Sequence, residues 1–365
     1  MPKGRGIDKI FLSSTIILLV VGFLIFISAS MRMLAIDGAD FSSLAFKQFF
    51  GIVIGLIACF VFTKIHYRFL RKYALIIFIL SIIFTCLVFV PGLGTDLNTF
   101  AKRWISLFGF TFQPVNVLNM GFVIYWAAWL SFVKEKVTDM KYSLLPLLII
   151  LGVVGSILLS QPDTDSFFVI CGTGIAMLIL AGGRMKHVLV LGLVGIACLT
   201  TLAFMRPYVM ERLQTFITPS ANSLTSGYQV QQSIITIGSG QFFGRGWGQS
   251  IQKYKFLPQS INDSIFAVLG EELGFLGCIF VIALFIFFAF RGFRISIRAP
   301  DSFSGLLVSG IVILVIGQSF INIASTLDII PFSGIPLAFF SQGGASIMTI
   351  LAEIGIVLNI SKFTK

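Results

Sequence analysis

Residues 10–29 read IFLSSTIILLVVGFLIFISA, a run of apolar and small residues that contains no charge. About 20 such residues form a helix long enough to cross the hydrocarbon core of a bilayer. Nine further stretches resemble it in length and character. The ten stretches lie at residues 10–29, 45–63, 73–91, 115–133, 143–159, 166–182, 187–205, 264–290, 303–327 and 335–361. The sequence therefore predicts an all-α integral membrane protein with about ten transmembrane helices.

Basic residues lie on alternate sides of these stretches. If the N-terminus is cytoplasmic, 17 of the 26 Lys and Arg residues fall in the two termini and in the short inside loops near residues 64–72, 134–141, 184–186 and 291–298. The other nine fall outside, where acidic residues nearly balance them. The positive-inside bias thus predicts that both termini are cytoplasmic.

Composition supports one membrane domain over residues 1–365. The chain is 57% hydrophobic and only 11% charged, whereas soluble domains carry roughly 25% charged residues. The net charge of +11 is spread over short loops and tails, so it reflects membrane topology and does not indicate a nucleic-acid partner. The two histidines, His66 and His187, both fall on the inside, which argues against a Ser–His–Asp hydrolase facing outward.

The largest connection, residues 206–263, is predicted to lie outside the membrane between helices seven and eight. It contains five glycines between residues 238 and 248, interleaved with Arg245 and Trp247 and followed by Lys253 and Lys255. Glycines allow close backbone approach to a phosphate, and the cations suit a diphosphate. A flexible interfacial loop anchored by aromatic residues is the alternative.

Two shorter outside loops carry further candidates. Lys102, Arg103 and Trp104 suit either an anionic headgroup or an interfacial anchor. Asp163 and Asp165 occupy a turn before the sixth stretch, where a carboxylate can cap the next helix.

Few acidic residues lie within or beside the predicted membrane stretches. Glu271, Glu272 and Glu353 fall within predicted spans, where ionisable groups usually face a cavity or a partner. Asp263 precedes the eighth span at the water boundary. It suits a proton-accepting role or an N-cap equally well on these grounds.

Several motifs in order resemble the SEDS (FtsW/RodA/SpoVE) family of bacterial cell-wall polymerases, with wording closer to the FtsW branch. They cover nearly the whole chain. They are DKIFL…ISAS (8–30), AKRWI (101–105), FQP (112–114), QPD (161–163), QQSIITIGSGQFFGRGWGQSIQKYKFLP (231–258), FAVLGEELGF (266–275) and PFSGIPLAFFSQGGAS (331–346).

The resemblance implies a peptidoglycan glycosyltransferase in the bacterial cytoplasmic membrane. Such an enzyme polymerises lipid II into glycan strands during division or elongation and releases undecaprenyl diphosphate. Asp263 would be the catalytic base. The implied substrate-binding residues are Lys102, Arg103, Trp104, Gln113, Asp163, Arg245, Lys253, Lys255 and Ser341.

The resemblance also implies partners and a cofactor. A class B penicillin-binding protein and other divisome or elongasome proteins are expected, as is a divalent cation, Mg or Mn, whose ligands the sequence does not identify. We further expect an outward-open groove lined by Arg103, Gln113, Asp163, Lys253 and Asp263.

Several positions depart from the family's wording while the scaffold is kept. A Glu and a Lys expected after FQP are replaced by amides, and a Gly after QPD is replaced by an acid. The departing positions are Val115, Asn116, Asn119, Asp165, Ile261 and Gln342. Two other functions therefore stay open: a flippase or transporter for the same lipid, and a weakened scaffold that docks a penicillin-binding protein. A flippase requires ionisable groups aligned through the membrane, and no basic residue within a predicted span lies beside the three in-span acids.

Overall fold

The computed structural model describes residues 6–36, 41–95, 103–107, 110–218 and 226–364. Most of these residues are helical, because a chain in lipid must satisfy its backbone polar groups internally. The helices are α1 (Lys9–Ile36), α2 (Phe41–Lys64), α3 (Tyr67–Lys72), α4 (Ala74–Cys86), α5 (Val115–Phe132), α6 (Leu144–Ser160), α7 (Thr164–Leu180), α8 (Met185–Met205), α9 (Pro207–Ile217), α10 (Ser226–Ser239), α11 (Gln252–Lys255), α12 (Ile265–Ile297), α13 (Ser302–Thr326) and α14 (Gly344–Ser361).

The predicted membrane stretches correspond to ten of these helices. Within the described ranges, six are both long and apolar enough to cross a bilayer, namely α1, α2, α5, α12, α13 and α14. The helices α4, α6, α7 and α8 are shorter apolar helices at the remaining four predicted positions. The all-α membrane class is confirmed, while the number of crossings and the cytoplasmic placement of both termini stay predictions.

Helix α13 occupies the centre of the bundle and packs against α5, α7, α12 and α14. Helix α2 runs along α14, and the two approach closely at paired glycines. A Cβ placed on Gly51 would lie 2.3 Å from Cα of Gly344, so a larger residue at Gly51 would force the backbones apart. Small residues permit such close helix contacts in membranes.

The connection at residues 206–263 contains helical structure that the sequence interpretation missed. The helices α9, α10 and α11 all lie within it, and α10 packs against α12. Helix α12 itself is broken at Gly274, whose φ of 67° and ψ of −167° are accessible to glycine alone. The first part of α12, Ile265–Leu273, therefore behaves as a separate short helix that follows Asp263.

A small antiparallel sheet precedes α5. Its strands are β1 (Gly94–Thr95), β2 (Trp104–Leu107) and β3 (Phe110–Phe112), in that spatial order. Ile105 pairs with both Gly94 and Phe112. The sheet fixes Arg103 and Trp104 at the same end of the bundle as the start of α7.

Candidate active site

Charged side chains from four separate segments converge around Asp263. This residue immediately precedes Ser264 and α12, and its own backbone is held by α13. Asn322, which is fully buried on α13, donates from Nδ2 to the carbonyl oxygens of Asp263 and Ile335, both at 2.8 Å. The Asp263 side chain does not cap α12, because Ser264 is the N-cap residue and shows no side-chain cap bond. The N-cap alternative for Asp263 is therefore wrong.

The Asp263 carboxyl group is half-buried and has an unusual proton affinity. Burial, followed by the negative charge of Asp165, raises its pKa from 3.8 to about 7. The positive charges of Arg212 and Arg103 partly oppose this rise. A carboxyl group with a pKa near neutrality can both accept and return a proton at physiological pH.

Asp165 and Arg212 form an ion pair beside Asp263. Arg212 on α9 donates from Nη1 to Asp165 Oδ1 at 2.8 Å and to Oδ2 at 2.9 Å. Asp165 Oδ2 also accepts from the backbone N–H of Gly334 at 3.2 Å. A Cβ built on Gly334 would lie 3.6 Å from Asp263 Oδ2 and 3.8 Å from Asp165 Oδ2, so both carboxylates flank this glycine. In the sequence, the only sign of this ion pair was Asp165 itself, an acid at a position where the family resemblance leads one to expect glycine.

Asp163 and Arg103 lie in the same cluster. Asp163 Oδ1 accepts from the backbone N–H of Ser166 at 3.3 Å, which confirms the predicted cap at the start of α7. Burial raises the pKa of Asp163, although the nearby Arg103 charge opposes the rise. Arg103 donates to the carbonyl oxygens of Gln161, at 3.2 Å, and Pro162. Arg103 is thus anchored beside the acids.

A large groove opens next to this cluster. Its volume is about 390 Å³, and it lies between α2, the small sheet and the start of α14. Its lining is mainly apolar, and Lys47, Trp104, Asn262 and Gln342 contribute polar or amphipathic groups. The groove therefore reaches the residue directly before Asp263.

Ser341 has a structural role near Asp263, whereas the hydrogen bond described for Gln113 involves its backbone. Gln113 is half-buried at the junction of β3 and α5, where its carbonyl accepts from the Asn116 N–H at 3.2 Å. Ser341 is buried; its hydroxyl donates to the Asn262 carbonyl at 2.7 Å and accepts from the Leu337 N–H at 2.8 Å. Because both bonds hold backbone near Asp263, Ser341 positions this segment instead of facing the groove.

The glycine-rich segment packs against the break in α12. The backbone N–H groups of Arg245 and Gly246 donate to the carbonyls of Glu271 and Glu272, each at 3.0 Å. A Cβ on Gly244, whose φ is +80°, would lie 2.1 Å from the Glu272 carbonyl oxygen. These amides are consumed by protein carbonyls, which removes them from the proposed phosphate cradle. The glycines instead permit close contact with the broken helix.

Arg245 belongs to this structural unit. Its Nε lies 3.3 Å from Glu271 Oε1 in an ion pair, with the arginine partly exposed and the glutamate fully buried. Glu271 also accepts from the backbone N–H groups of Ile251 and Gln252, at 3.1 and 3.3 Å. Glu271 thus holds the returning loop against α12.

Lys253 is not available in the predicted groove, which corrects that expectation. It is fully buried, and its Nζ lies 2.8 Å from Glu272 Oε1 and 2.9 Å from Ser28 Oγ. A buried carboxylate requires such a partner, because an unpaired charge there is strongly destabilising. Both bases that pair with Glu271 and Glu272, Arg245 and Lys253, come from the connection at residues 206–263 and not from a predicted span. The Lys255 side chain and all of Lys102 lie outside the described part of the structure.

The acids around Asp263 do not by themselves form a metal site. Among the described residues, no three His, Cys, Asp or Glu side chains are grouped for a metal ion. Both oxygens of Asp165 are engaged by Arg212. The divalent cation stays a prediction, and no chemical step is assigned to it.

Comparisons with known proteins place this site in context. A probable peptidoglycan glycosyltransferase FtsW of Geobacter sp. strain M18 is 34% identical over 361 residues, which cover 99% of this chain and 98% of that protein. Stage V sporulation protein E of Bacillus subtilis strain 168 is 33% identical, covering 100% of this chain and 99% of its own.

Solved structures share the fold. One chain, from work described as "Structural coordination of polymerization and crosslinking by a peptidoglycan synthase complex", superposes with a TM-score of 0.79, 23% identity and 98% coverage of each chain. The rod shape determining protein RodA of Thermus thermophilus gives 0.72, 23% identity and coverage of 98% and 97%. Residues 9–365 match the family described as "Cell cycle protein". The chain belongs to this FtsW/RodA/SpoVE family of multi-pass membrane proteins.

Proposed function

We propose that this protein is a peptidoglycan glycosyltransferase that polymerises lipid II on the outer side of the bacterial cytoplasmic membrane. The observation that carries the proposal is Asp263, a half-buried carboxyl group with a pKa of about 7 that lies near Arg103 and Arg212. The names of the relatives support the same reaction class. Undecaprenyl diphosphate is the product released from the donor.

Asp263 acts as the general base. The hydroxyl oxygen of an acceptor sugar forms a bond to the anomeric carbon of the donor, while its proton passes to the Asp263 carboxylate. The bond between the anomeric carbon and the diphosphate oxygen breaks, and the diphosphate leaves with the electron pair. Arg103 supplies positive charge near the developing anion, where a desolvated site strengthens the interaction.

The groove beside Asn262 receives the lipid substrate. Its mainly apolar lining suits a polyprenyl chain, and its volume of about 390 Å³ accommodates a short part of one. Lys47 and Trp104 line the same groove, so a cation and an amphipathic ring meet the headgroup near the acids. This arrangement brings a membrane-anchored sugar to Asp263.

The protein works with a class B penicillin-binding protein and with other divisome or elongasome proteins. The solved peptidoglycan synthase complex that shares this fold supports that partner class. Both termini are cytoplasmic, and the segment from α9 to Asp263 is extracytoplasmic, as the distribution of basic residues supports.

The flippase alternative is less well supported. Glu271 and Glu272 are ion-paired with Arg245 and Lys253 of the loop, so they are not free to serve as an ion path. A direct assay of lipid II polymerisation distinguishes the enzyme from a non-catalytic scaffold.

Asp263→Asn tests the proposal with purified protein and lipid II. The amide keeps the shape of the side chain but removes its basicity, so polymerisation should fall by about 10²–10⁴-fold. The matched control is Asp139→Asn, which changes an exposed acid remote from the site and should retain activity. Full polymerisation by Asp263→Asn would exclude the base role, and no polymerisation by the unaltered protein would favour the scaffold.

A further inference from the structure

A second polar site lies inside the bundle, separate from Asp263. It is a small cavity of about 10 Å³, enough for one water molecule or one small ion, where three helices meet. Helix α14 contributes one face of residues at helical spacing, and α5 and α13 contribute the rest. The lining residues are Asn116, Asn119, Leu314, Gln318, Ser346, Thr349, Ile350 and Glu353. Six of these eight side chains carry an oxygen atom.

Glu353 is the residue of this set whose burial requires an explanation. Its side chain is 3% exposed, on a helix that the sequence places within the membrane. Within the described part of the chain, no hydrogen bond or ion pair reaches its carboxyl group, and it is the only ionisable side chain in the lining. An ionisable group at such a position costs free energy and marks a candidate functional site.

A second observation points to a ligand in the same cavity. Asn119 is 2% exposed, and its Oδ1 atom has no hydrogen-bond partner among the described residues. Buried acceptors in folded proteins are nearly always satisfied. Thr349 donates its hydroxyl hydrogen to the Ser346 carbonyl at 2.8 Å, which leaves its oxygen lone pairs available. Helices α5 and α14 therefore present available oxygen atoms around one carboxyl group, and Gln318 on α13 completes the polar lining.

We propose that this cavity binds one monovalent cation, with Na⁺ as its natural probe. Oxygen donors without nitrogen or sulfur ligands select hard cations. One carboxylate balances a single positive charge, whereas a divalent ion would leave an uncompensated charge inside the membrane. A proton on Glu353 satisfies one acceptor only, but a cation is ligated by several oxygens at once. The bound ion joins α5, α13 and α14 directly beneath the groove.

The lining separates neutral ligands from the charge that balances the ion. Asn116 and Asn119 offer neutral amide oxygens on α5, whereas the one negative charge comes from Glu353 on α14.

Thermal unfolding in detergent tests the cation directly. NaCl should raise the melting temperature saturably, relative to N-methyl-D-glucamine chloride at equal ionic strength. The rise should be on the order of 3 °C when sodium is about a hundredfold above its dissociation constant. Glu353→Gln should abolish the sodium-dependent rise, while Glu135→Gln, at an exposed position, should retain it. Binding of radioactive ²²Na⁺ provides the second measurement.

Thr349→Val guards against a folding failure of the first variant. Valine preserves shape and removes one ligand oxygen, so it should weaken sodium binding several-fold without abolishing the fold. If the unaltered protein shows no sodium-dependent rise and binds no ²²Na⁺, the cavity holds a protonated carboxyl group with water and the proposal is overturned. An equal sodium response in Glu353→Gln would overturn it too.

Discussion

Replacing Asp165 by Asn should shift the pH dependence of polymerisation toward acid. Asp165 is a negative neighbour that helps to raise the pKa of Asp263 to about 7, and it also holds Arg212 in a bidentate pair. Its removal withdraws the repulsion and frees Arg212 to stabilise the Asp263 carboxylate. Both changes lower the pKa of Asp263.

The size of this shift follows from Coulomb's law. Asp263 Oδ2 and Asp165 Oδ2 lie 3.6 and 3.8 Å from one point, the Cβ position of Gly334. Two charges at most about 7 Å apart interact by roughly 2 kcal/mol or more at an effective dielectric constant near 20. Because Asp263 is only half-buried, solvent screening reduces that figure. We therefore expect a shift of about one pH unit, which corresponds to roughly 1.4 kcal/mol.

Initial rates of lipid II polymerisation between pH 5.5 and 8.5 provide the assay. The rate of the unaltered protein should be half-maximal near pH 7, since Asp263 must lose its proton to act as a base. The rate of Asp165→Asn should be half-maximal about one unit lower, so the variant is relatively faster in acid. Asp165→Glu keeps the charge and should leave the profile in place. If the pH of half-maximal rate in Asp165→Asn is unchanged, or is higher than in the unaltered protein, the reasoning is refuted.

Two stability predictions concern the unit around the break in α12. Lys253→Met leaves Glu272 as an uncompensated buried charge, so it should reduce the free energy of unfolding by about 3–5 kcal/mol. The double variant Lys253→Met/Glu272→Met should recover most of this loss in a thermal melt. If the single variant melts at the same temperature as the unaltered protein, the buried pair is contradicted. Gly274→Ala should lower the melting temperature markedly, because its φ is +67° and its Cβ would lie 2.3 Å from the Gly244 nitrogen; Gly152→Ala, which meets nothing within 4 Å, is the matched control and should melt normally.

The sequence predicted the helices because hydropathy is a local property of the chain. Every predicted membrane stretch contains an apolar helix, and the cap by Asp163 followed from its position before a helix. The tenth stretch, predicted at 335–361, begins too early, because residues 335–343 are not helical and α14 starts at Gly344. The side-chain pairings were not readable in this way. Lys253 meets Glu272 only because the loop returns to α12 at its break, and this depends on backbone contacts between distant segments.

The glycine-rich segment shows why composition misled the site prediction. Glycines that approach a phosphate and glycines that approach another backbone have the same signature in sequence. Arg212 was missed for a related reason: a single arginine in a long connection carries no signal until α9 forms and brings it to Asp165. Asp263 was found because the residue itself matches the family resemblance, although its neighbours Ile261, Asn262 and Ser264 do not.

The break at Gly274 also divides α12 by length. At 1.5 Å per residue, the part from Phe275 to Ile297 is about 34 Å long, which by itself exceeds the roughly 30 Å hydrocarbon core. The part before the break, Ile265–Leu273, is therefore not needed to cross the membrane, and we expect it to lie outside the hydrocarbon core. Glu271 and Glu272 belong to that part. We therefore expect the segment after Gly274 to cross the membrane and the segment before it to hold Asp263 near the lipid headgroups.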